Sequence, residues 1–302
     1  MRLIGILAIG AVFWLAGCGG DSPKQPTWFG KNAQSEAFMI GFGSAKTLDV
    51  AKARALSDIS NQLSVQVSSQ FKSHTQRQDS HITHSASNEV KLDTAGIELS
   101  DVSYVKDEFK DNQYFVQAQI PKASLIKQFQ NSFNKEYGAL NFNRMSQCSS
   151  ISIKDKMRLA YALDKLSLYG MLLHSLGVNT RDLSALEDTL SKNSPLPTTR
   201  LQIQGAAGDI VAAELEKELG EFYNFDLEAE SVIQVKLKMN LINGNTIKAD
   251  AIMTIYDCRK NAVFATSVSN THQGNNIDNS LGFTAKRIGV QLYKKLQEWV
   301  EG

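Results

Sequence analysis

The chain has 302 residues, 42% of them hydrophobic and 21% charged, with a formal net charge of +1. That composition is ordinary for folded material and its length suits two compact domains. It excludes wholesale disorder, and it excludes the strong net positive field that draws a chain to nucleic acid or anionic lipid.

The first element is MRLIGILAIGAVFWLAGC, with one cation, Arg2, ahead of an apolar run from Leu3 to Leu15. The run is too short to cross a bilayer comfortably, so residues 1–17 read as a signal peptide. Its end, Leu15-Ala16-Gly17-Cys18, resembles the bacterial lipobox, in which cleavage precedes a cysteine whose thiol is lipidated. Cys18 is therefore the expected lipidation site, and residues 18–30 form the lipidated cysteine and its tether. Removal of residues 1–17 takes away Arg2 and no acid, which leaves the mature chain close to neutral. Each buried acyl CH₂ contributes about 0.8 kcal/mol, so two or three chains hold a protein firmly in a leaflet. Gly19 stands where an Asp commonly retains bacterial lipoproteins in the inner membrane, and that resemblance favours the outer membrane.

Glu36 to Phe42 is an apolar-rich strand, and a helix follows with Thr47 as its cap and Asp49 in its first turn. Leu48, Ala51, Ala55, Ile59 and Leu63 fall on one helical stripe whose alanines keep it shallow, so the helix should lie close on a sheet. From Leu63 to Ser68 the pattern changes to alternation, which reads as the start of a strand. A polar segment across residues 70–95 follows, either a solvated strand pair or a loop. Strands resume near Ile97; in Gln113 to Ile120 the residues Tyr114, Val116, Ala118 and Ile120 share one face. Pro121 ends that strand, and a helix follows from Ala123 to Tyr137.

Ser152 to Leu176 and Arg181 to Lys192 read as two helices forming a hairpin, expected as a linker over residues 145–195. After Pro195 and Pro197 comes a short strand, Arg200 to Gln204, and a helix from Asp209 to Tyr223. Ile233 to Leu241 and Ile247 to Ile255 alternate about Asn243-Gly244, a favoured two-residue hairpin turn. A third strand, Val263 to Val268, and a helix with Ala285, Ile288, Leu292, Leu296 and Trp299 on one stripe complete the chain. The fold class is α+β: two sheet-and-helix domains of β-α-β-β-β-α type, residues 31–140 and 198–302, joined by the helical hairpin.

Little in this order of elements carries reaction chemistry. Gly41-Phe42-Gly43 ahead of a helix invites comparison with a phosphate loop, but Lys46 takes the place of the third glycine of a dinucleotide motif. Ala45 and Ile40 take the places of the P-loop glycines around Lys46, so the two glycines are expected to serve the backbone where strand turns into helix. His74, His81 and His84 lie in the polar segment without the glutamate of a zinc-protease motif, and solvated polar chain explains them better than a metal site. His174 and His272 suit core or rim positions. Glu214, Glu216 and Glu218 accompany Lys217 as solvated helix charges, and Lys236, Lys238 and Lys248 mark a wet sheet face. No catalytic residue, cofactor or metal is expected. Cys148 and Cys258 remain after Cys18 is lipidated; they form either a disulfide or two free buried thiols.

Pro26-Thr27-Trp28, then Phe38-Met39-Ile40-Gly41-Phe42-Gly43-Ser44-Ala45, the alanine-spaced helix and Val116-Gln117-Ala118-Gln119-Ile120-Pro121 together resemble the Lpp-twenty family of bacterial lipoproteins. The resemblance runs from Pro26 to Pro121, plus the anchor. It implies a non-enzymatic outer-membrane lipoprotein, since some members build or support flagellar outer-membrane disks and rings and others are surface antigens. The last third is similar, in order of elements only, to lipoproteins that assemble flagellar rings or curli-type secretion pores. The resulting expectation is an envelope assembly or interaction component, flagellar-associated in one version, that self-associates or meets other envelope proteins. The alternative is a lipoprotein binding module that regulates cell-wall synthesis or surface transport. A long open sheet edge favours assembly; a cleft between domains favours ligand binding.

Overall fold

The computed structural model describes residues 24–31, 35–75 and 99–302 of the chain. It is α+β, with two separate sheets. The chain divides into two compact units, Met1–Leu125 and Ile126–Gly302.

In the first unit, strand β1 (Phe38–Ala45) leads into helix α1 (Leu48–Thr75), then strands β2 (Ser103–Lys110) and β3 (Gln113–Pro121). The sheet order is β1-β3-β2, antiparallel throughout, with Gly41 opposite Ala118 and Gly43 opposite Val116. The β2–β3 turn uses Asp111 and Asn112 in the left-handed region, at φ 48° and 60°, which these two residue types tolerate. Ala51, Ala55, Ile59 and Leu63 of α1 are buried over the face of β3 that carries Val116, Ala118 and Ile120. The helix comes as close as the alanine stripe predicts.

The two glycines of β1 explain how close. A Cβ on Gly41 would lie 2.2 Å from the Ala55 carbonyl oxygen and 2.6 Å from Ile59 Cγ1. One on Gly43 would lie 2.1 Å from the Ala51 carbonyl oxygen and 2.4 Å from the Ala55 nitrogen. Neither glycine takes a positive φ, and both sit inside β1 rather than at a turn. They are needed for the contact between helix and strand, not for a change of chain direction.

The alternation after Leu63 is helix, not strand, because α1 continues to Thr75. Leu63 belongs to the buried helical stripe, whereas Val65 is 68% exposed, so the alternate residues share no buried face. Nothing between Ser64 and Thr75 is a glycine or proline that would stop the helix. His74 falls in its last turn; His81, His84 and most of the polar 70–95 segment lie outside the described residues.

Helix α2 (Lys122–Ala139) spans the division between the units, and the single turn α3 (Phe142–Met145) leads to α4 (Ile153–Ser175) and α5 (Ser184–Lys192). The α4–α5 hairpin, expected as a linker, lies within the second unit. Ile153 is part of its core, Ile153 N–H donates to the Tyr223 hydroxyl at 3.4 Å, and Lys154 Nζ donates to the Trp299 carbonyl at 2.8 Å. Asn193 at the end of α5 receives the Ile151 N–H at 2.9 Å.

The rest of that unit is strand β4 (Thr198–Gln204), helix α6 (Gly208–Leu219), a two-residue strand β5 (Asn224–Phe225), strands β6 (Val232–Asn243), β7 (Thr246–Tyr256) and β8 (Ala262–Gln273), and helix α7 (Ile277–Glu301). The sheet order is β5-β4-β6-β7-β8, with β4 parallel to both its neighbours. The alternation in β6 and β7 holds: Ile233, Val235 and Leu237 face Ile255, Met253 and Ala251 in register, all buried. Helices α6 and α7 cover this face with Val211, Leu215, Leu219, Ile288, Leu292 and Leu296. Each such side chain contributes about 1.5–3 kcal/mol by leaving water. The hairpin turn is Gly244-Asn245, one residue later than the sequence suggested, because the register shifts between Leu241 and Asn243.

Gly43→Ala should destabilise the first unit, because the added methyl meets helix backbone that no rotamer change can move. The expected loss is about 3 kcal/mol, the upper end of overpacking. Chemical denaturation followed by circular dichroism checks it; a variant as stable as the parent would refute the close-contact account.

Candidate functional site

A sheet edge exposes a row of unpaired N–H and C=O groups, so each edge either needs protection or offers a docking strand. Among the described residues the two sheets have four edges, formed by β1, β2, β5 and β8. They are treated very differently.

The edge of β1 is closed by side chains of α1. Arg54 Nη1 donates to the Ser44 carbonyl at 2.6 Å, the Phe42 N–H donates to Asp58 Oδ2 at 2.9 Å, and Gln62 Nε2 donates to the Ile40 carbonyl at 2.8 Å. Residues 54, 58 and 62 recur at one helical face, while 40, 42 and 44 recur at the strand period, so the two patterns mesh. This polar stripe runs beside the alanine stripe that buries the helix. Sequence reading missed it, although the four-residue spacing of Arg54, Asp58 and Gln62 was the available signal.

Strand β2 carries Lys106, Asp107, Glu108 and Lys110 and a bulge between Tyr104 and Lys106. Charge and bulge are both ways of discouraging a neighbour strand. Strand β5 is only two residues long.

Strand β8 has an extra residue, Val263, at its very start, where Ala262 and Phe264 pair with Tyr256 and Ile255, but from Phe264 onward it carries neither bulge nor formal charge. It runs for 12 residues, Ala262-Val-Phe-Ala-Thr-Ser-Val-Ser-Asn-Thr-His-Gln273, without a proline or a formally charged residue. It pairs with β7 on one side, and among the described residues no strand lies on the other. Alternate residues of an antiparallel edge strand direct both N–H and C=O away from the sheet. At about 0.5–1.5 kcal/mol net per bond, pairing along even half of β8 would contribute several kcal/mol. Its inner face, including His272 with its ring 5.1 Å from Phe283, is half-buried, and its outer face (Ala265, Ser267, Ser269, Thr271) is exposed.

The outer face of β6–β8 forms a shallow groove of about 800 Å³ lined by Lys236, Lys238, Asp250, Ile252, Ser267 and Ser269. A hydrogen bond from the Ser269 hydroxyl, with Lys248 and Lys238 nearby, holds Asp250 below the ordinary carboxylate range. Lys248 lies 3.4 Å from Asp250, so the lysines expected on a wet face are there and one is paired. In α6 Lys217 pairs with Glu218 at 2.7 Å, as solvated helix charges do. His174 is exposed at the end of α4. Among the described residues no cluster of His, Cys, Asp and Glu is arranged to hold a metal ion. Burial pushes the Tyr223 phenol far up, so its hydroxyl serves the fold as a neutral hydrogen-bonding group.

Cys18 lies outside the described residues. Cys148 and Cys258 are joined as a disulfide, with S–S 2.00 Å and Cα–Cα 5.6 Å. Cys258 stands in the β7–β8 turn, where Asp257 accepts the N–H groups of Arg259 and Asn261 at 3.0 and 2.9 Å. Gln147, beside Cys148, accepts from Arg259 Nη1 at 3.2 Å. The Ser150 hydroxyl donates to the Thr198 carbonyl at 2.6 Å, and Ser149 Oγ donates to Glu230 at 2.9 Å. The segment ahead of α4 is thus fastened to the turn from which β8 starts.

The model of the LPP20 lipoprotein family matches residues 26–121, about a third of the chain. No curated protein matches. Among solved structures, the chain is similar to the secreted protein HP1454 from Helicobacter pylori at 19% identity and a TM-score of 0.48, over 87% of this chain and 99% of that one. It is also similar to a minor lipoprotein from Acinetobacter baumannii (15% identity, TM-score 0.25, 33% of this chain and 91% of that one). A hypothetical protein, CT253 from Chlamydia trachomatis, is a further likeness (9% identity, TM-score 0.28, 34% of this chain and 96% of that one). These structural likenesses are too distant to bring a function with them.

Replacing Cys148 and Cys258 together by serine opens a closure spanning 110 residues. A loss of about 2–4 kcal/mol is expected for such a crosslink. Thermal unfolding of the parent with and without reductant, beside the double variant, checks it: the variant should match the reduced parent and lose all sensitivity to reductant. From Pro26 to Pro121 the chain is similar to the LPP20 lipoprotein family.

Proposed function

We propose that this chain is a non-enzymatic lipoprotein, held in the outer membrane through Cys18, that acts as an assembly or interaction component of the envelope with β8 as its docking strand. The observation that carries the reading is the 12-residue uncharged edge of β8, set against the closed edge of β1 and the charged edge of β2. An added strand would take its affinity from main-chain hydrogen bonds and its selectivity from the alternate side chains of β8. Confinement to one leaflet raises the effective concentration of such edges, so a modest interface suffices for self-association or for binding another envelope protein.

The family likeness at residues 26–121 supports the anchor, and the order of elements ahead of it supports lipidation at Cys18. The outer membrane rests on Gly19 in place of a retention aspartate. A flagellar or ring-forming partner is one version of this reading. A second reading, a binding module that regulates cell-wall synthesis or surface transport, draws on the groove over β6–β8, whose Lys236 and Lys238 suit an anionic ligand.

The test is a charge placed on the open edge. Ala265→Lys with Thr271→Lys puts two cations on exposed positions of β8, the protection that the strand lacks. Native cross-linking from the outer membrane should then lose most of the products formed by the parent chain, about fivefold or more, while the circular dichroism of the variant is unchanged. Undiminished cross-linking would remove β8 as the docking strand. Loss of a bound anion with Lys236→Gln and Lys238→Gln, and no change in cross-linking with the β8 variant, would favour the second reading.

A further inference from the structure

The end of the first unit nearest the anchor has a composition that fits a membrane surface. Lys24 N–H donates to Asp111 Oδ2 at 2.8 Å, which fixes the chain emerging from the tether to the β2–β3 turn. Trp28 follows, its Nε1–H donating to Glu108 at 2.9 Å, with Phe29 packed against Phe42 and Phe115. Lys24 is six residues after Cys18. Six residues reach at most about 21 Å, so an acylated Cys18 keeps the Asp111 turn within that distance of its leaflet.

The same end holds the last residue of β1, the start of α1 and the β2–β3 turn, since Ala45 is opposite Tyr114. Its charged groups are Lys24, Lys46, Arg54 and Lys110 against Asp49, Glu108 and Asp111, an excess of one cation. A groove of about 450 Å³ opens there between Lys46, Arg54, Gln113 and Val50, the valine 47% exposed. Phe109, 56% exposed, lies on the β2–β3 hairpin at the same end, with its ring 4.7 Å from Tyr114. The opposite end of β1 lies about 23 Å away, seven strand steps.

We propose that this end of the first unit docks on the leaflet that holds the anchor, with Lys46 and Lys110 meeting anionic phospholipid headgroups and Phe109 entering the interface. The inference rests on the reading of Cys18 as an acylated anchor. An excess of cations next to an exposed aromatic ring is what an anionic lipid surface attracts, and a free anion would have no use for the ring. Near such a surface each lysine is worth about 1 kcal/mol, roughly fivefold in the docked fraction. The docked end would orient the first unit on the membrane by a contact that the acyl chains alone cannot supply.

The test uses the full acylated chain reconstituted in vesicles of phosphatidylethanolamine and phosphatidylglycerol that carry a headgroup-bound quencher. A fluorophore is placed at Thr47→Cys, at the near end, or at Glu36→Cys, at the far end; both positions are exposed. Strong quenching is expected at position 47 and little at 36. The difference should shrink about fivefold with Lys46→Gln, and further when Lys110→Gln is added or phosphatidylglycerol is omitted. Equal quenching at both positions, or quenching at 47 that ignores both the lipid charge and the two lysines, overturns the docking. Acyl analysis of the same sample separates the two readings. A chain without an acyl group overturns the anchor and this inference together, while an acylated chain with equal quenching overturns the inference alone.

Discussion

The constraint on which this structure turns is the hydrogen-bonding demand of sheet edges. A small α+β unit cannot close its sheet into a barrel, so every edge leaves a row of main-chain donors and acceptors facing outward. At the β1 edge of the first unit that demand is met from within. Helix α1 lies so close to β1 that Arg54, Asp58 and Gln62 reach the Ser44, Phe42 and Ile40 backbone groups directly. The short side chains beneath make this reach possible: with larger residues at Gly41, Gly43, Ala51 or Ala55, the helix would stand off and the three polar groups would fall short. Close packing and edge closure are one feature.

The second unit solves the covering of its core in the ordinary way, with α6 and α7 over one sheet face, and among the described residues β8 has no strand on its outer side. The β7–β8 turn is the most fastened part of that region, held by the Asp257 hydrogen bonds and by the disulfide from Cys258 to Cys148. An open strand that starts from a rigid turn is preorganised, and a partner strand loses less entropy in pairing with it than with a mobile one. The family match covers residues 26–121 and so contains the closed β1 edge and the charged β2 edge. The open edge lies beyond it. In the proposed account the lipoprotein domain supplies position at the membrane, and the following unit supplies the strand that meets a partner.

What the sequence revealed and what it hid follow physical lines. The β6–β7 pair, the stripe of α7 and the shallow stripe of α1 were legible because each buries one regular face, and periodicity reports burial. The length of α1 was hidden, since three apolar residues at alternate positions, Leu63, Val65 and Val67, mimic a strand. The role of Gly41 and Gly43 was half legible: the absence of a phosphate motif is a matter of residue identity, but the near-contact with Ala51 and Ala55 is tertiary. The state of Cys148 and Cys258 depends on a distance across 110 residues of chain, which spacing does not encode. The assignment of the α4–α5 hairpin to the second unit rests on contacts such as Ile153 with Tyr223, equally invisible in a linear pattern. Of the candidate surface, the lack of charge from Ala262 to Gln273 was readable, but its meaning required knowing that β8 is an edge.

The most direct measurement is hydrogen–deuterium exchange across β8 in two states, the chain dispersed in dilute detergent and the chain in its native membrane. The account predicts that amides between Ala262 and Gln273 become protected by tenfold or more in the membrane, while those of β1, already closed by α1, do not change. Identical exchange of β8 in both states, with new protection elsewhere in the chain, would contradict it.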